Sequence, residues 1–175
     1  EGAKGIVITA HIHPDGDAAG STNALLSYLR SRGKENVRIV YPEPLADTIS
    51  FVAAGSDKSL VLDAVTAPEG CRTAVVSADL IFCLDCNSFT RTGVLEDMMR
   101  SSSASKVLID HHLNPDVEAY DLVFSTPQVS SASELLYNIL LALPDVAGNV
   151  SRLPRSSAEA LMTGMTTDTN NFSNS

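Results

Sequence analysis

Apolar residues in this chain fall into short aliphatic runs, separated by longer stretches in which they recur every three or four positions. Gly5-Ile-Val-Ile-Thr9 predicts a buried strand that runs straight into a loop, His11-Ile-His-Pro-Asp15-Gly-Asp17. Beyond the loop, Leu25, Leu26, Tyr28, Leu29 and Arg32 fall at helical spacing, and Gly33 is placed as the stop. Four further strands are predicted at Val37–Tyr41, Leu80–Leu84, Lys106–Ile109 and Leu122–Phe124. Ser131-Ala-Ser-Glu134 reads as a helix start, and the apolar face of Leu135, Leu136, Ile139, Leu140 and Leu143 stops at Pro144. A last helix is expected over about Ser156–Met162, and Ser101–Ser105 reads as a polar loop. Strands alternating with helical stretches predict an α/β fold, a mostly parallel five-stranded sheet flanked by helices.

In such sheets ligands bind outside the carboxyl ends of the strands. Four segments rich in Asp and His lie at or near such positions: His11–Asp17, Leu84-Asp85, Asp110-His111-His112 and Thr167-Asp168-Thr169, the last after a helix rather than a strand. A single Asp or His near a strand end is usually a cap or a solvated loop residue. Taken together, oxygen donors mixed with imidazole and with few Lys or Arg beside them are what a pair of divalent cations needs to hold a phosphate ester. In the first segment Gly16 is expected to give the backbone room between two carboxylates that would repel each other without cations.

Composition narrows the picture. The 175 residues suffice for one ordinary core but are short for two full domains. A net charge of −9 argues against a surface that grips long duplexes through their phosphates. No apolar run approaches a membrane span and the start lacks a secretory pattern, so a cytoplasmic protein is expected. Cys83-Leu-Asp-Cys86 has redox-pair spacing, but it closes an apolar strand run instead of opening a helix, which favours reduced, packed cysteines.

The order His11-x-x-Pro14-Asp15-x-Asp17-x-x-Gly20-Ser21, then Asp85, then Asp110-His111-His112, then Gly164-x-x-Thr167-Asp168-Thr169 resembles the four motifs of the DHH phosphoesterase family, from about residue 6 to 172. The resemblance implies that His11, Asp15 and Asp85 hold one metal, and that Asp17, Asp85, His111 and Asp168 hold a second, with Asp85 as the bridge. It implies manganese by preference, with magnesium or cobalt as alternatives, and a metal-bridging hydroxide that attacks phosphorus. It assigns catalytic roles to Asp85 and His112, and sets His112 toward substrate, with Arg91 and His13 as weaker substrate contacts. Asp110, Thr167 and Thr169 are expected to orient these groups from behind.

Asp85-Cys-Asn-Ser-Phe-Thr-Arg91 and Ser130–Glu134 look most like the branch that degrades very short oligoribonucleotides and dephosphorylates phosphoadenosine phosphate. Expected partners are therefore short single strands or small phosphate esters, not long duplexes or membranes, with a homodimer of the longer protein left open. Other members of the superfamily act on pyrophosphate, polyphosphate or cyclic dinucleotides, and a non-catalytic metal- or nucleotide-binding module remains a different class of reading. Residues 1–175 are expected to be the catalytic domain alone, without the C-terminal substrate-binding domain of the family. Asn170 stands where relatives often have Gly.

Overall fold

The computed structural model describes residues 2–53 and 57–173. Glu1 and the last two residues of the polar end lie outside them. Among the described residues the sheet has six strands, not five: β1 (Ile6–Thr9), β2 (Val37–Tyr41), β3 (Val61–Asp63), β4 (Leu80–Leu84), β5 (Ser105–Asp110) and β6 (Leu122–Ser125). Their spatial order is β3-β2-β1-β4-β5-β6, and every pairing is parallel. The unexpected strand, β3, is an edge of three half-buried residues, too short to carry an alternation signal.

The helices are α1 (Gly16–Ser31), α2 (Pro68–Val76), α3 (Glu96–Ser101), α4 (Ala132–Ala142) and α5 (Arg155–Asp168). Successive strand residues face opposite layers, as the pleat requires. Ile6, Ile8, Ile39 and Ile109 pack with Leu25, Leu26, Leu136 and Leu161 of α1, α4 and α5. Val7, Val40, Ile81 and Leu108 pack with Cys71, Val75 and Met99 of α2 and α3. Burial on both faces explains why these strands read as continuous apolar runs.

Two helix boundaries depart from expectation. α1 starts at Gly16, nine residues before the apolar spacing becomes visible at Leu25, because its first turns are buried through small residues. Gly16 is therefore no loop spacer: a Cβ there would come within 2.2 Å of Thr167 Oγ1, so the glycine lets α1 and α5 approach. α5 continues past Met162 to Asp168 through half-exposed polar residues, with the buried Gly164 facing α4 and Asp17. At Gly20 a Cβ would meet the backbone of α5, 2.6 Å from the Ala160 carbonyl oxygen and 2.8 Å from Gly164 N.

The strand order reverses between β1 and β4, the two strands at the middle of the sheet. Such a switch point leaves a crevice above the carboxyl ends of the two central strands. His11–Asp15 follow β1 and Asp85 follows β4, so both segments open into that crevice.

Candidate metal centre

Each candidate ligand is set in place by its own element. Asp15 is the N-cap of α1, and its Oδ1 accepts from the N–H groups of Asp17 and Ala18, both at 3.0 Å. Its other oxygen lies 3.9 Å from His11 Nε2. The His11 ring is fixed through Nδ1, 2.6 Å from the Ile12 carbonyl oxygen, and Nε2 faces Asp85 Oδ2 at 3.3 Å. Asp17, in the first turn of α1, is 1% exposed and accepts from the backbone N–H groups of Ala132 (2.6 Å) and Ser133 (2.9 Å). Asp168 ends α5.

Asp85 sits at the centre. It follows β4 with φ +52, a left-handed conformation that costs a non-glycine residue on the order of 1–3 kcal/mol and that accumulates at functional sites. Its N–H donates to the Ile109 carbonyl (3.0 Å), which ties it to β5. From the other side of the crevice, His111 Nε2 lies 3.4 Å from Asp85 Oδ1, 3.6 Å from Asp168 Oδ2 and 4.0 Å from Asp17 Oδ2. Donor atoms of three sets gather within 4.8 Å of one another: His11, Asp15 and Asp85; Asp17, His111 and Asp168; and Asp85, His111 and His112.

The chemistry of this donor set fits divalent cations. Asp85 Oδ1 is buried and has no hydrogen-bond partner among the described residues. A buried carboxylate oxygen without a hydrogen bond is unfavourable unless something else meets it. The candidate-ligand nitrogens beside the Asp85 carboxylate, His11 Nε2 on Oδ2 and His111 Nε2 on Oδ1, stand at 3.3 and 3.4 Å, longer than an aligned charge-assisted hydrogen bond. Bonds of about 2.1 Å to one octahedral cation put adjacent donors roughly 3 Å apart, which is nearer to this spacing.

Without cations the cluster is a set of opposed charges. Burial alone would lower His11, but contact with Asp85, the Ile12 carbonyl and the charges of Asp85 and Asp15 raise it to about 9. Contact with Asp85 likewise raises His111 to about 9, against the effect of its burial. Burial pushes Asp17 up to about 7, and the charge on Asp85 adds to it. Asp85 moves the other way: burial would raise it, but the imidazoles of His11 and His111 hold it well below the usual carboxylate range.

The remaining candidates divide. Asp110, fully buried at the end of β5, accepts from the His112 backbone N–H at 3.0 Å and meets His112 Nδ1 at 2.8 Å, leaving Nε2 of a partly exposed ring unengaged by it. His13 belongs to none of the three donor sets. The Arg91 carbonyl accepts from Ile12 N–H (2.7 Å), and exposed His13 is drawn to Glu43, with Nδ1 2.6 Å from its carboxylate. The hydroxyls of Thr167 and Thr169 donate to carbonyls of their own helix, those of Thr163 and Gly164 and that of Met165. They secure the end of α5 rather than a histidine ring.

Sequence reasoning missed the amino end of α4. Ser131–Glu134 is legible as a helix start, but nothing in the sequence pairs it with Asp17, 115 residues away. Cys83 and Cys86 are buried and unbridged at the end of β4 and in the turn after it.

The profile of the DHH family, N-terminal domain, matches residues 5–165. The chain belongs to this family. Along its length the DHH domain is 27% identical over 170 residues to the cyclic-di-AMP phosphodiesterase GdpP of Geobacillus thermodenitrificans, spanning 95% of this chain and 25% of that protein. It is 27% identical over 167 residues to the bifunctional oligoribonuclease and PAP phosphatase NrnA of Bacillus subtilis, spanning 95% of this chain and 47% of that protein. A solved structure of an exopolyphosphatase-related protein from Bacteroides fragilis superposes with a TM-score of 0.87 at 31% identity, over 98% of this chain and 48% of that one. The DHH domain thus spans between a quarter and about half the length of these relatives. No helix among the described residues is long and apolar enough to cross a membrane.

Proposed function

We propose that this DHH domain is the catalytic part of a two-metal phosphoesterase that hydrolyses short oligoribonucleotides or phosphoadenosine phosphate. The observation that carries the reading is Asp85: a strained, buried carboxylate with one orphaned oxygen, between two imidazole–carboxylate sets at the sheet's switch point. His11, Asp15 and Asp85 would hold one cation, and Asp17, Asp85, His111 and Asp168 the other. Four carboxylates against two divalent ions leave that shell formally neutral. Manganese is the preferred ion in this reading, with magnesium or cobalt able to replace it. Two such ions supply an activated water near neutral pH and charge stabilisation at phosphorus.

The chain's own residues do the rest. His11 is held in one tautomer by the Ile12 carbonyl, which keeps Nε2 available as a donor atom. Asp110 fixes the His112 ring through Nδ1, so Nε2 is free to donate to a phosphoryl oxygen as its charge develops. The acidic surface gives no electrostatic attraction to long duplexes, which supports a small substrate held locally.

The stretch Asp85–Arg91 with Ser130–Glu134 supports the short-oligonucleotide substrate. A second reading, cleavage of a cyclic dinucleotide, is supported by the likeness to GdpP. The test is hydrolysis of a dinucleotide, phosphoadenosine phosphate, cyclic di-AMP and polyphosphate, with and without manganese, by this domain alone and by a longer chain in which a C-terminal substrate-binding domain is joined to it. Manganese-dependent release of mononucleotide from the first two is expected. Turnover of cyclic di-AMP alone would favour the second reading, and metal binding with no turnover of any substrate would overturn both.

A further inference from the structure

We propose that the amino end of α4 is a positioning device for Asp17: two successive backbone N–H groups clamp both carboxylate oxygens and aim the remaining lone pairs at the second cation. This inference rests on the two-metal reading. Asp17 is 1% exposed, so water cannot satisfy it and protein donors must. The donors found are Ala132 N–H on Oδ2 (2.6 Å) and Ser133 N–H on Oδ1 (2.9 Å), the first two residues of an eleven-residue helix. A clamp on both oxygens fixes the plane of the carboxylate, which a single hydrogen bond would leave free to rotate. A carboxylate accepts at about four lone-pair sites, so two remain for a cation.

The helix end is itself preset for this. The first N–H groups of a helix have no partner within it. Ser131 caps α4 by accepting from Glu134 N–H at 3.0 Å, while the Glu134 carboxylate turns back to Ser130 N–H and Oγ, both at 2.7 Å. That reciprocal cap settles the third N–H and leaves the first two, which go to Asp17 from a region of positive helix potential. α5 leaves room for the arrangement. A Cβ on Gly164 would lie 2.0 Å from Ser133 Oγ and 2.8 Å from Asp17 Oδ1. Ser133 Oγ is itself buried at this corner without a hydrogen-bond partner among the described residues. Three helices therefore converge on one ligand: α1 carries it, α4 clamps it and α5 supplies Asp168 beside it.

The test removes one N–H without removing a side chain. Replacing the amide between Ser131 and Ala132 with an ester deletes the donor to Asp17 Oδ2. Ala132→Pro deletes the same donor at the first helical position, where proline suits the backbone and extended Ser131 suits a proline after it. The control is an ester between Ser133 and Glu134, which breaks a hydrogen bond at the same helix end that does not serve Asp17. Calorimetric titration with manganese is the readout. The expected result is one of two sites weakened by about tenfold or more, the range for groups that orient metal ligands, with the other site unchanged and the control like wild type. Equal weakening of both sites, an equal effect of the control, or no change in either site would overturn the clamp while leaving the two-metal reading intact. A wild-type chain that takes up no manganese would overturn both.

Discussion

At the residue scale the centre is a balance of charges that cations would reset. In the metal-free chain His11 and His111 are raised from 6.5 to about 9, so the folded state holds protons that the unfolded chain releases. That stabilisation is complete below about pH 6.5 and is lost as the pH rises toward 9. Asp17, raised to about 7, acts in the same direction from about pH 4 to 7. The Tm of the metal-free chain is therefore expected to fall between pH 6.5 and 9, as followed by circular dichroism. Manganese should reverse the trend, because ligands must lose protons to bind it, and titrations in buffers of different ionisation enthalpy should report proton release at pH 7.5. A flat Tm over this window would contradict the charge balance. His112 is assigned a different task, outside both cation shells. In a chain with measurable turnover, His112→Ala is expected to keep both metals and lower kcat by about 100-fold or more, the size of a missing acid–base or oxyanion donor. Loss of metal in this variant would return His112 to the ligand set.

At the element scale the site depends on how closely α1 and α5 approach, since one carries Asp17 and the other Asp168. Gly20 makes that approach possible by setting backbone against backbone. Gly20→Ala must push the helices apart, and is expected to cost about 1–3 kcal/mol in urea unfolding and to weaken manganese binding together with stability. An alanine tolerated without loss would contradict the packing. The same feature explains what the sequence conceals. Strands β1, β2, β4 and β5 are legible because burial on both faces writes apolar runs, and β6 because Leu122, Val123 and Phe124 are consecutive although Leu122 and Phe124 are exposed. The first turns of α1, Gly-Asp-Ala-Ala-Gly-Ser-Thr, are buried just as deeply through small and polar residues, and so carry no apolar stripe. The last turn of α5, Met165–Asp168, is hidden for a different reason: it is half-exposed and mostly Thr and Asp, so it carries no apolar stripe. β3 and α2 leave little trace because they bury few side chains, Cys71 and Val75 in α2. Candidate ligands, by contrast, stand out in the sequence as Asp and His at strand ends, whereas the α4 donors on Asp17 are main-chain groups and have no letter in the sequence.

On the scale of the whole molecule, the parallel sheet collects segments from residues 11 to 168 above the reversal of strand order between β1 and β4, and Asp85 lies where the two halves meet. The domain spans 25% and 47% of two of its relatives, and all the candidate ligands lie within it. The most direct test is the manganese stoichiometry of the wild-type chain and of Asp85→Asn, which keeps the shape but removes the shared charge. Two equivalents bound by wild type and none by the variant are predicted. Two equivalents retained by Asp85→Asn would contradict the bridged centre.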